Sequence, residues 1–125
     1  WAFSYDHVGN SSRSILPGNE ANWANAYAAY LIYEATDRLT FANRIEYADG
    51  SPGTYDVAGT HPNWGTSEED KFLADTFTIS YRLWENVITR AEFRWDHDLS
   101  GNKRMTDDGT RDNAFGIAAN IIYVF

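Results

Sequence analysis

The chain has 125 residues, with 18 acidic and 10 basic side chains and a formal net charge of −8 at pH 7. This length is enough for one small domain, and the acidic balance argues against a nucleic-acid partner, because phosphate binding requires clustered Lys and Arg. The absence of cysteine excludes disulfides, thiolate metal sites and cysteine nucleophiles. No stretch approaches the roughly 20 consecutive apolar residues that a membrane-spanning helix needs.

Six segments alternate apolar side chains with small or polar ones, which is the period of a β-strand. The second of them is rich in alanine and also permits a helix, but a hairpin with the third segment favours a strand. In most segments the bulky apolar residues share one face. The segments predicted as strands are 1–8, 23–34, 38–48, 71–83, 87–96 and 112–125.

Two short turns, at 35–37 and 84–86, are expected to fix the register of two hairpins. The pairs expected in the first hairpin are Tyr33–Leu39, Leu31–Phe41, Tyr27–Ile45 and Glu34–Arg38. The pairs expected in the second hairpin are Leu83–Val87, Phe77–Phe93, Ser80–Arg90 and Thr78–Glu92.

Long and short connections alternate along the chain. The polar connections at 9–22, 49–70 and 97–111 are long, whereas those at 35–37 and 84–86 are short. Transmembrane β-barrels have long loops at one end and short turns at the other, and a soluble sandwich has no reason to sort its connections in this way. The sequence therefore predicts an all-β fold, an antiparallel up-and-down meander that forms a transmembrane β-barrel or part of one.

Six strands are fewer than the eight with which known single-chain outer-membrane barrels begin. We therefore expect residues 1–125 to be a single barrel segment, the C-terminal part of a larger barrel. The alternatives are that several copies of the chain close one barrel as a homo-oligomer, or that the chain forms more strands than the six predicted.

Charged side chains lie on the strand faces opposite the bulky apolar residues. An Arg on the lipid-facing side at the midplane costs about 2–4 kcal/mol, so the charged faces should line a water-filled lumen or meet solvent. With five bases and four acids, the set predicts weak ion selectivity, although cross-strand pairs that only stiffen the wall would give the same pattern. The residues expected to line the pore are Glu34, Arg38, Arg44, Glu46, Arg82, Arg90, Glu92, Arg94 and Asp96.

The segment from Asp96 to Asp107 approaches the spacing of a calcium loop, which places oxygen ligands at its first, third, fifth and twelfth positions and Gly at the sixth. Asp96, Asp98, Ser100 and Asp107 occupy the ligand positions, and Gly101 occupies the sixth. Calcium is therefore the one candidate cofactor, and the alternative is a plain acidic loop. No set of nucleophile, base and orienting residue indicates an enzyme.

The chain ends in Asn120-Ile-Ile-Tyr-Val-Phe125, in which Ile121, Tyr123 and Phe125 share one face. This end and the charged hairpin Ser80–Asp96 resemble the C-terminal end of a Gram-negative outer-membrane β-barrel porin. The resemblance implies a place in the bacterial outer membrane, contact with lipid and lipopolysaccharide, and passive diffusion of small polar solutes or ions. It also implies insertion by the barrel-assembly machinery, with Ile121, Tyr123 and Phe125 as the assembly signal, and no catalytic residues.

Two other functions remain open on the sequence alone. A soluble barrel of lipocalin or avidin type would turn its apolar face inward to line a ligand cavity. A structural barrel would anchor an envelope assembly without conducting. The residues whose direction separates the soluble alternative from the membrane barrel are Leu39, Phe41, Phe77, Phe93 and Ile121.

Overall fold

One antiparallel sheet contains all six strands. The computed structural model describes residues 1–10, 22–51, 70–101, 105 and 110–125. The strands are β1 (Ala2–Asn10), β2 (Asn22–Glu34), β3 (Leu39–Gly50), β4 (Asp70–Trp84), β5 (Val87–Asp98) and β6 (Asn113–Tyr123). Each strand pairs with its neighbours in the chain, in the order β1-β2-β3-β4-β5-β6. The predicted all-β meander is therefore confirmed, and the alanine-rich second segment is a strand.

The two ends of the sheet differ in how the chain connects its strands. At one end, called the loop end, the connections are residues 11–21, 51–69 and 99–112. At the other, called the turn end, they are residues 35–38 and 85–86. Five of the six strands extend one or two residues further toward the loop end than the alternation predicted. No helix able to cross a membrane occurs among the residues that the structure describes.

The register divides the strand residues into two faces by residue number. Each ladder pairs odd-numbered residues with odd-numbered ones and even with even, apart from Trp84 with Val87. Because successive side chains alternate across a strand, the odd-numbered residues form one face of the whole sheet. That face carries most of the large apolar side chains and is called the apolar face. The even-numbered residues form the opposite, charged face.

The burial of side chains is inverted relative to a soluble domain. Among the described residues the only buried hydrophobic side chains are Ala28, Ala48 and Val87. Phe115 and Ile117, by contrast, are 81% and 78% exposed. A soluble monomer rarely exposes a continuous apolar patch larger than a few hundred Å². The sheet therefore has no apolar core of its own, and its apolar face requires an apolar surrounding.

The expected register of the β2–β3 hairpin is wrong by two residues. Tyr33 pairs with Phe41, Leu31 with Asn43, Tyr27 with Tyr47 and Glu34 with Thr40. The turn has four residues because Thr36 closes it: its Oγ1 accepts hydrogen bonds from the backbone N–H groups of Arg38 (3.2 Å) and Leu39 (3.0 Å). Such bonds from a hydroxyl to nearby backbone compete with the ladder. A shift of two residues leaves every side chain on its predicted face.

The β4–β5 hairpin has the expected register except at its turn. The predicted pairs Phe77–Phe93, Ser80–Arg90 and Thr78–Glu92 are confirmed. The predicted pair Leu83–Val87 is wrong, because Trp84 pairs with Val87 across the shorter turn 85–86. The register shifts between Arg82 and Trp84, which leaves Leu83 as the extra residue of a bulge.

Adjacent residues of β6 provide a direct test of the two faces. We expect Ile117→Arg to lower the free energy of unfolding in lipid by about 2–4 kcal/mol, because it places a charge against hydrocarbon. Ala118→Arg is the matched control, since it adds the same side chain beside Glu92 on the charged face. Both variants are titrated with urea in lipid vesicles. At each urea concentration the folded fraction is the share of protein that changes its gel mobility on heating. Equal destabilisation by the two substitutions would contradict the assignment of the faces.

Candidate functional site

Eight of the nine residues predicted to line a pore lie together on the charged face. β3 and β5 contribute most of them, and only Arg38 lies outside a strand, in the turn 35–38. The Arg38 carbonyl accepts a hydrogen bond from the Arg82 backbone N–H (2.8 Å), which joins this turn to β4. The eight strand residues are Glu34, Arg44, Glu46, Arg82, Arg90, Glu92, Arg94 and Asp96.

Small side chains on β4 leave room between the charges of β3 and β5. Thr76 pairs with Arg44 on one side and with Arg94 on the other. Ala74 lies in the same way between Glu46 and Asp96. Neighbouring strands are about 4.8 Å apart. The two arginines are therefore about 10 Å apart across Thr76, the two acids are about 10 Å apart across Ala74, and only small side chains lie between them. The result is a shallow trough along β4, bordered on each side by an arginine and an acid.

On each side of the trough, the arginine forms an ion pair with the acid of the same strand. Arg44 forms an ion pair with Glu46, and Arg94 Nε donates to the two carboxylate oxygens of Asp96 at 3.0 and 2.9 Å. The Arg44 guanidinium also lies over the Tyr30 ring, 5.6 Å from its centroid. The side chains remain between about one quarter and one half exposed, so each pair should contribute only about 0–1 kcal/mol to stability. The pairs hold the charges in place while leaving them in contact with water.

The concave spaces on the charged face are small and open. One of about 270 Å³ lies between Arg44, Thr76 and Glu92, and one of about 240 Å³ lies between Glu46, Ala74 and Asp96. Both fall below the range of about 300–1,000 Å³ that is usual for small-molecule sites. A larger depression of about 620 Å³ lies on the other side, on the apolar face, among Tyr81, Ala91 and Ile121. The charged face thus resembles a wall more than a pocket.

The proposed calcium ligands are largely engaged with protein groups. Asp96 accepts from Arg94, and Asp98, which is 2% exposed, accepts from the Ser100 backbone N–H (2.8 Å) and from the Ser100 hydroxyl. The described residues contain no cluster of three or more His, Cys, Asp or Glu able to hold a metal ion. Asp107 lies outside the described residues. Calcium binding therefore stays a prediction, without support from the two aspartates that the structure describes.

The three residues predicted as an assembly signal lie at the free edge of the sheet. Ile121 and Tyr123 belong to the apolar face of β6, and both side chains are exposed. Phe125 lies beyond the end of β6, fully exposed, with its ring 6.0 Å from that of Tyr123. The Val124 backbone N–H donates to the Asn86 carbonyl (2.9 Å), which keeps this last segment beside β5.

A row of aromatic and polar residues crosses the apolar face near the loop end. Tyr5 stacks on Tyr27 with ring centroids 4.8 Å apart, and Tyr27 lies 6.2 Å from Tyr47. Trp and Tyr concentrate where a membrane surface meets water. The row, called the interface row, consists of the successively paired residues Tyr5, Tyr27, Tyr47, Leu73, His97 and Asn113.

Two copies of one motif build this region, and the pattern of alternation did not reveal them. Phe3-Ser-Tyr-Asp-His7 on β1 corresponds to Phe93-Arg-Trp-Asp-His97 on β5. The strand after each copy contains Asn-Ala and an aromatic residue, Asn25-Ala-Tyr27 in β2 and Asn113-Ala-Phe115 in β6. In β1–β2, Asn25 Oδ1 accepts from the Tyr5 hydroxyl (3.2 Å) and contacts His7 Nδ1 (2.7 Å). A search for self-similarity would have found the repeat from sequence.

The second copy has the same contacts. Asn113 Oδ1 accepts from Trp95 Nε1 (2.8 Å) and contacts His97 Nδ1 (2.9 Å). The Trp95 and His97 rings stack with centroids 5.5 Å apart. In both copies an asparagine therefore bonds to an aromatic donor and to a histidine, in the second copy at the interface row and in the first copy two residues closer to the loop end.

Two polar residues that interrupt the apolar face, closer to the turn end than the interface row, form a hydrogen bond with each other. Asn43 Nδ2 donates to Asp75 Oδ1 at 2.6 Å and lies 3.4 Å from the Thr76 carbonyl. A buried or lipid-facing polar group is costly unless it is hydrogen-bonded. Asn43 and Asp75, which are polar residues on the apolar face, are thus one compensated pair on neighbouring strands.

The comparison with protein families covers nearly the whole chain. The model of the family described as "Putative beta-barrel porin-2, OmpL-like" matches residues 2–125. The match includes the strands before Asp70, where the sequence resemblance to porins is weakest. No match was found among curated proteins or among solved structures. Together with the inverted burial and the two-faced meander, this match shows that the chain belongs to the OmpL-like family of β-barrel porins.

Proposed function

We propose that this chain forms part of the wall of an outer-membrane channel through which small polar solutes and ions diffuse passively. The observation that carries the proposal is the division of the sheet between an exposed, mostly apolar face and a charged face. In a transmembrane barrel the apolar side meets lipid and the polar side meets a water-filled interior. Membership of a porin family supports the same arrangement.

The apolar band has the height of a membrane. On β6 it runs from Asn113, in the interface row, to Tyr123 at the turn end, without a polar side chain on that face between them. Ten residues extend about 34 Å along a strand. At the usual strand tilt of about 40° this length crosses about 26 Å, close to the apolar band of about 25 Å in outer-membrane barrels.

The opposite face supports a wet interior. Arg90 is exposed on the charged face, and Arg44 and Arg94 keep about two fifths and one half of their side-chain surface exposed. Between the charges the strands carry small residues, among them Ala118 on β6 and Thr78 on β4. Small side chains narrow a concave interior least. These features favour a lumen with mixed charge and open space over a packed core.

The soluble alternative requires the apolar face to line a closed ligand cavity. The bulkiest side chains would then crowd the inside of the barrel, whereas the alanines, glycine and threonines would stand outside with the charges. The family match favours the membrane arrangement. A structural barrel that does not conduct has the same two faces, so measured conductance is what separates it from a channel.

Single thiols test which face meets water in the membrane. The chain has no cysteine of its own, and Thr78 and Ile79 are adjacent residues of β4 on opposite faces. We expect a charged, membrane-impermeant thiol reagent to label Thr78→Cys at least about tenfold faster than Ile79→Cys, because the reactive thiolate does not form in hydrocarbon.

The same variants connect labelling to conductance. The whole protein should conduct ions in a planar bilayer. The reagent should reduce the single-channel conductance of Thr78→Cys. The same treatment should leave the conductance of Ile79→Cys unchanged. A lack of conductance with normal labelling would favour the structural barrel. Faster labelling of Ile79→Cys would contradict both the channel and the soluble arrangement, because each of them keeps the apolar face away from bulk water.

We further propose that the barrel-assembly machinery inserts the protein into lipid and lipopolysaccharide by recognising Ile121, Tyr123 and Phe125. We expect Phe125→Ala to reduce severalfold the amount of heat-modifiable protein in the outer membrane of cells. Val124→Ala is the matched control, since its backbone bond to Asn86 does not depend on the side chain. Refolding of both purified variants into detergent should be equal, because the signal acts in recognition. A loss shared by both variants, or a loss in detergent as well, would contradict the assignment.

A further inference from the structure

The charges of the charged face are sorted along the direction of the strands. The acidic zone, nearest the loop end, contains five acids and no base among the described strand residues. The basic zone, from the next row to the turn end, contains four arginines and two glutamates. The acidic zone consists of Asp6, Glu46 and Asp96, which meet solvent, and of Asp70 and Asp98, which are buried. The basic zone consists of Arg44, Arg82, Arg90 and Arg94, with Glu34 and Glu92.

The register establishes this order. Glu46 and Asp96 flank Ala74, whereas Arg44 and Arg94 flank Thr76, two residues closer to the turn end. The row that includes Asp6 and Asp98 crosses β4 at Phe72, two residues closer to the loop end than Ala74. Asp70 lies a further two residues out, and Arg82 lies at the opposite end of β4. No arginine of the charged face therefore lies nearer the loop end than any of the five acids.

Each zone is at least as long as the range of electrostatic screening. Between Asp70 and Ala74 the acidic zone covers about 13 Å along the strand, and between Thr76 and Arg82 the basic zone covers about 20 Å. The screening length is about 10 Å at 0.1 M salt. An ion inside one zone therefore responds mainly to the charge of that zone.

The ion pairs lie at the boundary between the zones. Arg44 to Glu46 and Arg94 to Asp96 each join the last basic row to the first acidic row. They cancel charge only locally. Beyond the boundary the acidic zone holds three acids and no base, whereas the basic zone holds Arg82 and Arg90 together with Glu34 and Glu92. Each ion pair has its arginine toward the turn end and its acid toward the loop end, so the pairs themselves carry part of the axial separation of charge.

We propose that this axial separation of charge makes the channel rectify, with cations concentrated at its loop end and anions at its turn end. The inference rests on the proposed function, since only an open channel carries current. Charged walls concentrate counterions. When the loop-end compartment is positive, cations from the acidic zone and anions from the basic zone both move toward the boundary and raise the conductance. The reverse voltage draws both ions away and lowers it.

The test is the current–voltage relation of the whole protein in a planar bilayer at two salt concentrations. A biotin on Asp37→Cys, in the turn 35–38, identifies by streptavidin capture which compartment holds the turn end. We expect a current ratio of roughly two at 0.1 M KCl, larger with the loop end positive, falling to about one at 1 M, where the screening length is only about 3 Å.

Single substitutions assign the effect to the two zones. Arg90→Gln and Asp6→Asn should each reduce the rectification ratio, and Arg90→Gln should also shift the reversal potential in a salt gradient toward cation selectivity. Lys71→Gln is the matched control, because it removes one positive charge from the apolar face and should leave the ratio unchanged. Heat-modifiable gel mobility confirms that each variant is folded before it is measured.

The outcomes separate this inference from the proposed function. Rectification of the expected polarity that weakens in high salt and in both zone variants supports it. A conducting channel with a linear current–voltage relation at 0.1 M, the opposite polarity, or an equal effect of Lys71→Gln overturns the inference and leaves the channel function standing. A folded protein that carries no current overturns both.

Discussion

Hydrogen bonding of the backbone in hydrocarbon is the constraint on which the rest of this structure depends. An unpaired N–H or C=O group within the membrane costs several kcal/mol, so only helices and closed barrels cross it. The five ladders of the meander supply hydrogen-bond partners to the backbone groups between neighbouring strands, from β1 to β6. Within the described residues β1 and β6 make no contact with each other. The outer edges of these two strands therefore require further strand pairing in a membrane, and this requirement connects the open sheet described here to the closed barrel of its family.

Once the strands are paired, the period of two determines what each side chain meets. Because the ladders preserve the parity of residue numbers across the sheet, a single rule sends Phe115 and Ile117 outward and Glu92 and Arg94 to the opposite side. This division also explains the unusual composition of the buried set, in which Ala28 and Ala48 are apolar while Asp70 and Asp98 are among the most buried residues. In the proposed membrane barrel, large apolar side chains are stabilised by lipid more than by one another. Packing density within the sheet therefore contributes less to stability than in a soluble domain, and the surrounding solvent contributes more.

Alternation in the sequence was sufficient to predict the strands, their faces and the segregation of charge, since none of these depends on exact register. The register of β2–β3 could not be predicted in this way, because the Thr36 hydroxyl bonds to nearby backbone and lengthens the turn. The bulge at Leu83 likewise follows from the contraction of a turn by one residue. Asn43 and Asp75 were two separate exceptions in the sequence, and only the ladder between β3 and β4 shows that they compensate each other. The order of charges along the strands required all the registers at once, although the repeated Asp-His motif was visible in the sequence from the start.

The repeated motif links the two faces near the loop end. Adjacent residues of a strand face opposite sides, so Asp6 and Asp96 lie on the charged face beside the aromatic residues and histidines that the same motifs place on the apolar face. In a bilayer the interface row would set how deep the sheet sits, because Tyr and Trp favour the boundary with water. Asp6 lies one residue outside this row and Asp96 one residue inside it, so both aspartates are held close to the same boundary. Because the long connections lie at this end, the acidic zone of the proposed lumen lies at the loop end of the barrel. The direction of the electric field along the lumen therefore follows from the direction in which the barrel inserts.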